Sequence, residues 1–161
     1  MKCKNLFLLF LVFLGTFFSA RAQYTCEPNL DFELGNLTKW NFYRGTNTSV
    51  GGVATWTLTS CPPAPTLHTL KGLIPGETDY WGGFPVVGDG IYSLKLGKDT
   101  TLYNADAADY HVHVPPGSSS TYSLIYRYAV VLQDPGHSPD QQPRFEISVV
   151  DSATGGPILC N

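Results

Sequence analysis

The most regular apolar pattern of the chain lies at residues 122–132. Tyrosine, leucine and valine occupy every second position, and the intervening positions include Ile125, Ala129 and Val131. Because side chains alternate between the two faces of a strand, both faces of this segment are largely apolar. Such a segment, rich in aromatic and β-branched residues and free of proline, predicts a strand at the centre of the fold.

A turn-rich segment follows at residues 133–143, where three prolines remove amide donors and fix φ. It predicts a surface loop. In residues 144–150, Phe145, Ile147 and Val149 then alternate with polar positions. This pattern predicts a half-buried strand that pairs antiparallel with 122–132.

Short runs with a period of two fill the rest of the chain, separated by Gly, Pro, Ser and Thr. No amphipathic helix is predicted. Many short strands at this spacing predict an all-β fold, an antiparallel β-sandwich of the jelly-roll (galactose-binding-like) or immunoglobulin-like kind. The further predicted strands are 40–43, 53–59, 67–70, 91–96, 101–103, 110–114 and 158–160.

The last residues predict an unfinished strand. Residues 151–157 have the composition of a hairpin turn, and 158–160 begin a strand that stops before it can pair along 145–150. We therefore expect the sandwich to lack its last strand, whether as a fragment or as a shortened relative of a longer protein. An open strand edge and weak stability would follow.

The first 22 residues have the three parts of a secretory signal peptide. Lys2 and Lys4 are positively charged, residues 6–18 are apolar, and Ala20-Arg21-Ala22 is an A-x-A cleavage site. We predict cleavage after Ala22, one β-sandwich module over residues 23–161, and a secreted or outer-surface location. The apolar run is short for a bilayer span, so no transmembrane segment is expected in the mature chain.

The predicted mature sequence is acidic. Once Lys2, Lys4 and Arg21 are removed with the signal, 7 basic residues remain against 13 acidic ones, a net charge of −6 with histidine neutral. A surface of this charge repels phosphate backbones, so nucleic acid is not an expected partner.

Three cysteines remain after the signal: Cys26, Cys61 and Cys160. Export permits disulfides. We predict a bond between Cys26 and Cys61 that joins the first strand to the proline-rich loop 61–65, worth about 3 kcal/mol. The odd count leaves Cys160 without a partner in this chain.

The run Asn-Leu-Asp-Phe-Glu-Leu-Gly-Asn-Leu-Thr-Lys-Trp at residues 29–40 resembles the opening strand and turn of carbohydrate-binding-module jelly rolls and galactose-binding-like domains. The resemblance implies a structural calcium beside Asp31 or Glu33, since calcium prefers oxygen ligands. The alternative is that both carboxylates are solvated strand residues, because two acids cannot supply the about six to eight ligands that calcium takes. No other cofactor is expected.

A second resemblance extends from about Cys26 to Cys160. It is to the N-terminal module of large secreted surface proteins of Bacteroidota, which often carry PKD repeats and a gliding-motility-associated or type IX secretion C-terminal domain. It implies cell-surface display or adhesion rather than a defined chemistry. The matching runs are Leu67-His-Thr-Leu70, Phe84-Pro-Val-Val-Gly-Asp-Gly-Ile-Tyr-Ser-Leu-Lys-Leu-Gly97, Tyr126-Arg-Tyr-Ala-Val-Val-Leu-Gln-Asp-Pro-Gly-His137 and Gln142-Pro-Arg-Phe145.

Aromatic residues around a Gly-Gly pair predict a sugar-binding platform. Tyr80, Trp81 and Phe84 lie in a loop rich in Gly and Pro, where burial is not expected. Aromatic rings stack on the apolar faces of sugars, and Asp79 can accept hydrogen bonds from their hydroxyls. These four residues are therefore the predicted site for a glycan or another cell-surface ligand. The alternative is that the loop rings fold back over the core.

Other notable residues are predicted to be structural. Trp40 and Trp56 lie in strand-like runs and are predicted core residues. His111 and His113 have the spacing of a metal-binding strand, but no carboxylate follows them, so a solvated face is favoured. His68 is expected to make a structural hydrogen bond under the sheet.

No catalytic motif occurs, neither a G-x-S-x-G elbow nor an H-E-x-x-H helix nor a phosphate loop. The sequence therefore favours a secreted, non-enzymatic adhesion-type module with a glycan-binding-like site. Two alternatives stay open. One is a spacer domain whose loops bind nothing, and the other is a metal-dependent enzyme that uses His111 and His113.

Overall fold

The computed structural model describes residues 27–98, 104–114, 123–133 and 136–158. Within them the fold is all-β with antiparallel sheets, as predicted. The predicted signal peptide and the predicted strand 101–103 lie outside the described residues. The elements are β1 (Trp40–Val50), β2 (Val53–Cys61), β3 (His68–Gly72), β4 (Tyr92–Leu96), β5 (Asn104–Tyr110) and one turn of 3-10 helix, Pro139–Gln141.

Strand β1 is the middle strand of a three-stranded sheet with the order β2-β1-β5. It turns into β2 through Gly51 and Gly52, which both have a positive φ, the conformation that two-residue hairpin turns need. On its other side β1 pairs with β5, from Trp40 opposite Tyr110 onward. Gly45 of β1 approaches β2 so closely that a Cβ there would overlap the Thr57 carbonyl oxygen.

Strands β3 and β4 form a second, two-stranded sheet that packs against the first. The imidazole of His68 in β3 lies 4.8 Å from the ring of Phe42 in β1, measured between centroids. Both side chains are 2% exposed, and Leu67 and Val87 complete the small buried apolar core. Two antiparallel sheets that share a core are consistent with a β-sandwich, whereas the jelly-roll connections stay a prediction.

The segment 29–39, which resembles an opening strand, consists of turns in the structure. Buried Asn29 organises it, because its Nδ2 donates to the carbonyl oxygens of Asn36 at 3.0 Å and Thr38 at 2.9 Å. The indole Nε1 of Trp40 donates to the Asn29 carbonyl at 2.9 Å, and Phe32 stacks on Trp40. The segment is therefore fastened to the start of β1.

The predicted central strand 122–132 is wrong as far as the structure describes it. Residues 123–133 are exposed and belong to no ladder, and the predicted antiparallel partner 144–150 pairs only at Val150, in an isolated bridge to Pro157. The Tyr128 and Phe145 rings stack at 5.4 Å, so the two segments are neighbours without sharing backbone hydrogen bonds. Strand propensity was present, but none of the described strands pairs with this segment.

Other predictions differ in detail. The hairpin turn 151–157 is confirmed, since the amide of Asp151 donates to the Gly156 carbonyl at 2.9 Å. Strand β5 lies before the predicted 110–114, and residues 111–114 are exposed outside any strand. Trp56, predicted as core, is 41% exposed, and the Arg144 guanidinium lies 4.1 Å from its ring centroid.

Candidate ligand-binding loop

The loop between β3 and β4 carries the predicted sugar-binding residues on a closed, hydrogen-bonded frame. At its base the Val86 amide donates to the Glu77 carbonyl at 3.3 Å, and Thr78 bridges Pro85. Nearer the tip, the amide of Asp79 donates to the Phe84 carbonyl at 2.8 Å. The chain therefore reverses direction within residues 79–84, which we call the aromatic loop.

Asp79 fixes the tip of the aromatic loop. Its Oδ1 accepts hydrogen bonds from the backbone amides of Trp81 at 2.9 Å and Gly82 at 2.8 Å, which is the geometry of an Asx turn. The hydrogen bond from the Gly82 amide, with a smaller one from Trp81, lowers the pKa of Asp79 because it favours the charged carboxylate. The Oδ2 atom accepts no hydrogen bond from a described residue, so it can accept one from a ligand hydroxyl.

The two rings at the tip of the loop are largely exposed. Tyr80 is 86% exposed and Trp81 is 70% exposed. Their rings meet edge to face, with centroids 4.8 Å apart and an interplanar angle of 89°. The pair therefore forms a right-angled corner.

Phe84 has a different role from the other two rings. It is half-buried, and its ring lies against Gly82 so closely that a Cβ at Gly82 would overlap it. Phe84 thus supports the loop, and direct contact of Phe84 with a ligand stays a prediction. The sequence shows the Gly-Gly pair, but it does not show that the Phe84 ring lies against Gly82 and requires a glycine there.

The predicted calcium residues hold backbone groups in this structure. Asp31 Oδ1 accepts a hydrogen bond from the amide of Glu33 at 3.2 Å. Glu33 Oε1 accepts from the amides of Ile91 at 2.8 Å and Tyr92 at 3.2 Å, and it lies where a Cβ at Gly90 would be. Glu33 thereby joins the N-terminal segment to β4, a role that sequence reasoning missed.

No group of three or more His, Cys, Asp or Glu residues within the described ranges could hold a metal ion. A structural calcium beside Asp31 or Glu33 stays a prediction. His111 and His113 are both exposed, and His111 Nε2 lies 3.5 Å from Asp109 Oδ2.

The predicted disulfide involves one described residue. Cys61 is half-buried at the end of β2, opposite Phe42 on β1, and is bonded to no other described cysteine. Cys26 and Cys160 lie outside the described residues, so the bond between Cys26 and Cys61 stays a prediction.

His68 in β3 and Asp106 in β5 each carry a buried polar atom. His68 Nδ1 accepts a hydrogen bond from the Ala64 amide at 3.1 Å, which confirms the predicted structural role. His68 Nε2 and Asp106 Oδ1 are buried without a hydrogen-bond partner among the described residues. Burial raises the pKa of Asp106, although the nearby charges of His68, Arg44 and Lys98 oppose the shift.

Comparisons with family models, curated proteins and solved structures give no significant match for this chain. Among the described residues, no helix is long and apolar enough to cross a membrane. The functional argument therefore rests on the geometry of the aromatic loop.

Proposed function

We propose that this chain is a secreted, non-enzymatic adhesion-type module that binds a glycan through the aromatic loop. The observation that carries the proposal is the exposure of Tyr80 and Trp81 on a tip fixed by Asp79. Removing exposed aromatic rings from water is favourable when an apolar surface of a ligand covers them. Two neighbouring exposed rings therefore favour a binding role for the loop.

The chemistry of the corner fits a sugar ring. One aromatic face can stack on the C–H face of a pyranose while the perpendicular ring closes one side, and Asp79 Oδ2 accepts a hydroxyl hydrogen bond. Because the aromatic loop is already held by its own hydrogen bonds, little conformational entropy is lost on binding.

The right angle between the rings also indicates which sugars fit. A flat polysaccharide surface needs coplanar rings, whereas a corner encloses a single residue at a chain end. We therefore propose terminal sugar residues of cell-surface glycans as the ligand class.

The test is a glycan array with the purified chain and with Tyr80→Ala and Trp81→Ala. Each variant should lose at least about tenfold in affinity, which corresponds to about 1.4 kcal/mol. Ile74→Ala is the matched control, because Ile74 is also an exposed apolar residue and lies just before the loop. Absent binding would favour the spacer alternative, and binding that is unchanged in both ring variants would show that the glycan contacts a surface other than the aromatic loop.

A further inference from the structure

Residues 123–133 form the longest exposed apolar segment among the described residues. Every residue in it is exposed, and Ile125 reaches 88%. None of its backbone amides or carbonyls bonds to another described residue, and its only ion pair joins Arg127 to Asp89 at 3.4 Å. Unpaired backbone beside apolar side chains is the signature of a strand edge that pairs with another chain.

The exposed apolar area is large for a monomer surface. The exposed apolar side chains of 123–133, with Phe145 stacked on Tyr128, present roughly 600 to 1,000 Å², taking about 150 to 250 Å² for each fully exposed large side chain. The largest apolar patch of a typical monomer is about 300 to 600 Å². A stable interface buries about 800 Å² on each partner, which this surface can supply.

The order of residues matches a second copy of the same segment. When two copies run antiparallel about a two-fold axis at Tyr128, Leu124 faces Leu132 and Tyr126 faces Val130. On the other face Ile125 meets Val131, and Arg127 meets Ala129. Every large apolar residue then has an apolar partner, and the single charge of the segment meets no like charge.

We infer that residues 123–133 pair antiparallel with the same residues of a second copy of this chain, across a two-fold axis at Tyr128. Such an interface is isologous, since the same surface serves both copies. The Tyr126 and Tyr128 rings lie 5.8 Å apart, and Phe145 stacks on Tyr128. These rings form one aromatic face that the second copy continues.

The register gives a sharp test by cysteine cross-linking of the purified full chain. Directly opposed residues of an antiparallel pair have Cα atoms about 4.5 to 5.5 Å apart, within disulfide range. Tyr128→Cys should therefore form a disulfide dimer under mild oxidation. Leu124→Cys should not, because its own copy lies eight residues away, about 27 Å. Leu124→Cys combined with Leu132→Cys should again cross-link.

The unmodified chain under the same oxidation controls for the native cysteines. Sedimentation should show a dimer that Tyr128→Lys weakens by at least about tenfold, since two like charges then meet on the axis. Ile74→Ala should leave the dimer unchanged, and circular dichroism checks that each variant is folded.

Three outcomes would overturn the inference. One is a chain that stays monomeric at every concentration without a cross-link at 128. A second is equal cross-linking at 124 and 128, which indicates aggregation without register. The third is a longer form of the chain that is monomeric and shields residue 128, which would mean that another segment of the same polypeptide covers the surface.

Discussion

The carboxylate of Asp79 accepts a hydrogen bond from the backbone amide of Trp81 at 2.9 Å, so an acidic side chain fixes the backbone that carries an exposed indole. Asp79→Ala removes this acceptor and should weaken glycan binding even though the rings remain. Asp79→Asn keeps an oxygen for the Trp81 amide but places an amide nitrogen where Oδ2 would accept the ligand hydroxyl, so it should retain the turn and lose only part of the affinity. Affinity on the array and the fluorescence of Trp81 check both variants. Equal losses in the two would indicate that the Oδ2 contact with the ligand, and not the turn, accounts for the contribution of Asp79.

The aromatic loop should also respond to acid. Because the folded-state pKa of Asp79 is lowered, its stabilising effect is present above the ordinary pKa of a carboxyl and is lost as the pH falls through the lowered value. Glycan affinity should thus be constant from neutral to mildly acidic pH and fall only in strong acid. A titration of binding against pH checks this, with Asp79→Asn as the insensitive control.

Adding one methyl group at Gly45 should lower the free energy of unfolding. Gly45→Ala places its Cβ on the Thr57 carbonyl, which is backbone and cannot rotate away. We expect a loss of about 1 to 3 kcal/mol in the free energy of unfolding, as for other overpacked sites. Gly88→Ala is the matched control, because open space surrounds that position, and its change should stay within about 0.5 kcal/mol. Thermal unfolding measures both.

Glu33 offers a way to separate a backbone role from a calcium role. Glu33→Ala leaves the amides of Ile91 and Tyr92 without their acceptor and should cost about 1 to 3 kcal/mol. Glu33→Gln keeps the oxygen and should cost much less. Both melting temperatures are measured in EDTA and in calcium. A loss seen only in calcium would instead assign Glu33 to the metal.

Asp106 should make the fold more stable in acid than at neutral pH. Its raised pKa means that the folded state holds the proton more tightly than the unfolded state does, so this residue's contribution falls as the pH rises through the carboxyl range. Asp106→Asn should therefore raise the melting temperature at neutral pH by a few degrees and leave it nearly unchanged in acid. A variant that melts lower at neutral pH would show that the charge is needed.

The sequence predicted local structure well, but it predicted poorly which segments pair with each other. It placed the all-β class, the strands that became β1 to β4, the 151–157 turn and the buried hydrogen bond of His68, since these depend on alternation and turn chemistry. It missed β5, because Asn104-Ala-Asp-Ala-Ala-Asp-Tyr110 has little strand propensity and pairs through the edge that β1 provides. It overvalued 122–132 for the opposite reason, since strand propensity alone does not decide whether a segment pairs with a neighbour.

The candidate site shows the same division. Loop composition predicted that Tyr80 and Trp81 are exposed, which the structure confirms, and their part in binding stays a prediction. Composition could not predict that the rings meet at a right angle, that Phe84 lies against Gly82, or that Glu33 bonds to backbone. Each of these depends on a pairing of residues that only the folded chain brings together.

The position of β1 between β2 and β5 has a consequence for how fast the chain folds. The β1–β2 hairpin closes through two residues. In contrast, Thr46 of β1 pairs with Asn104 of β5, which lies much further along the chain. Closing the longer loop costs more chain entropy, and this cost comes before the hydrogen bonds between β1 and β5 can offset it. The hairpin should therefore form first, and docking of β5 should limit the folding rate. During that interval one edge of β1 is open to other chains.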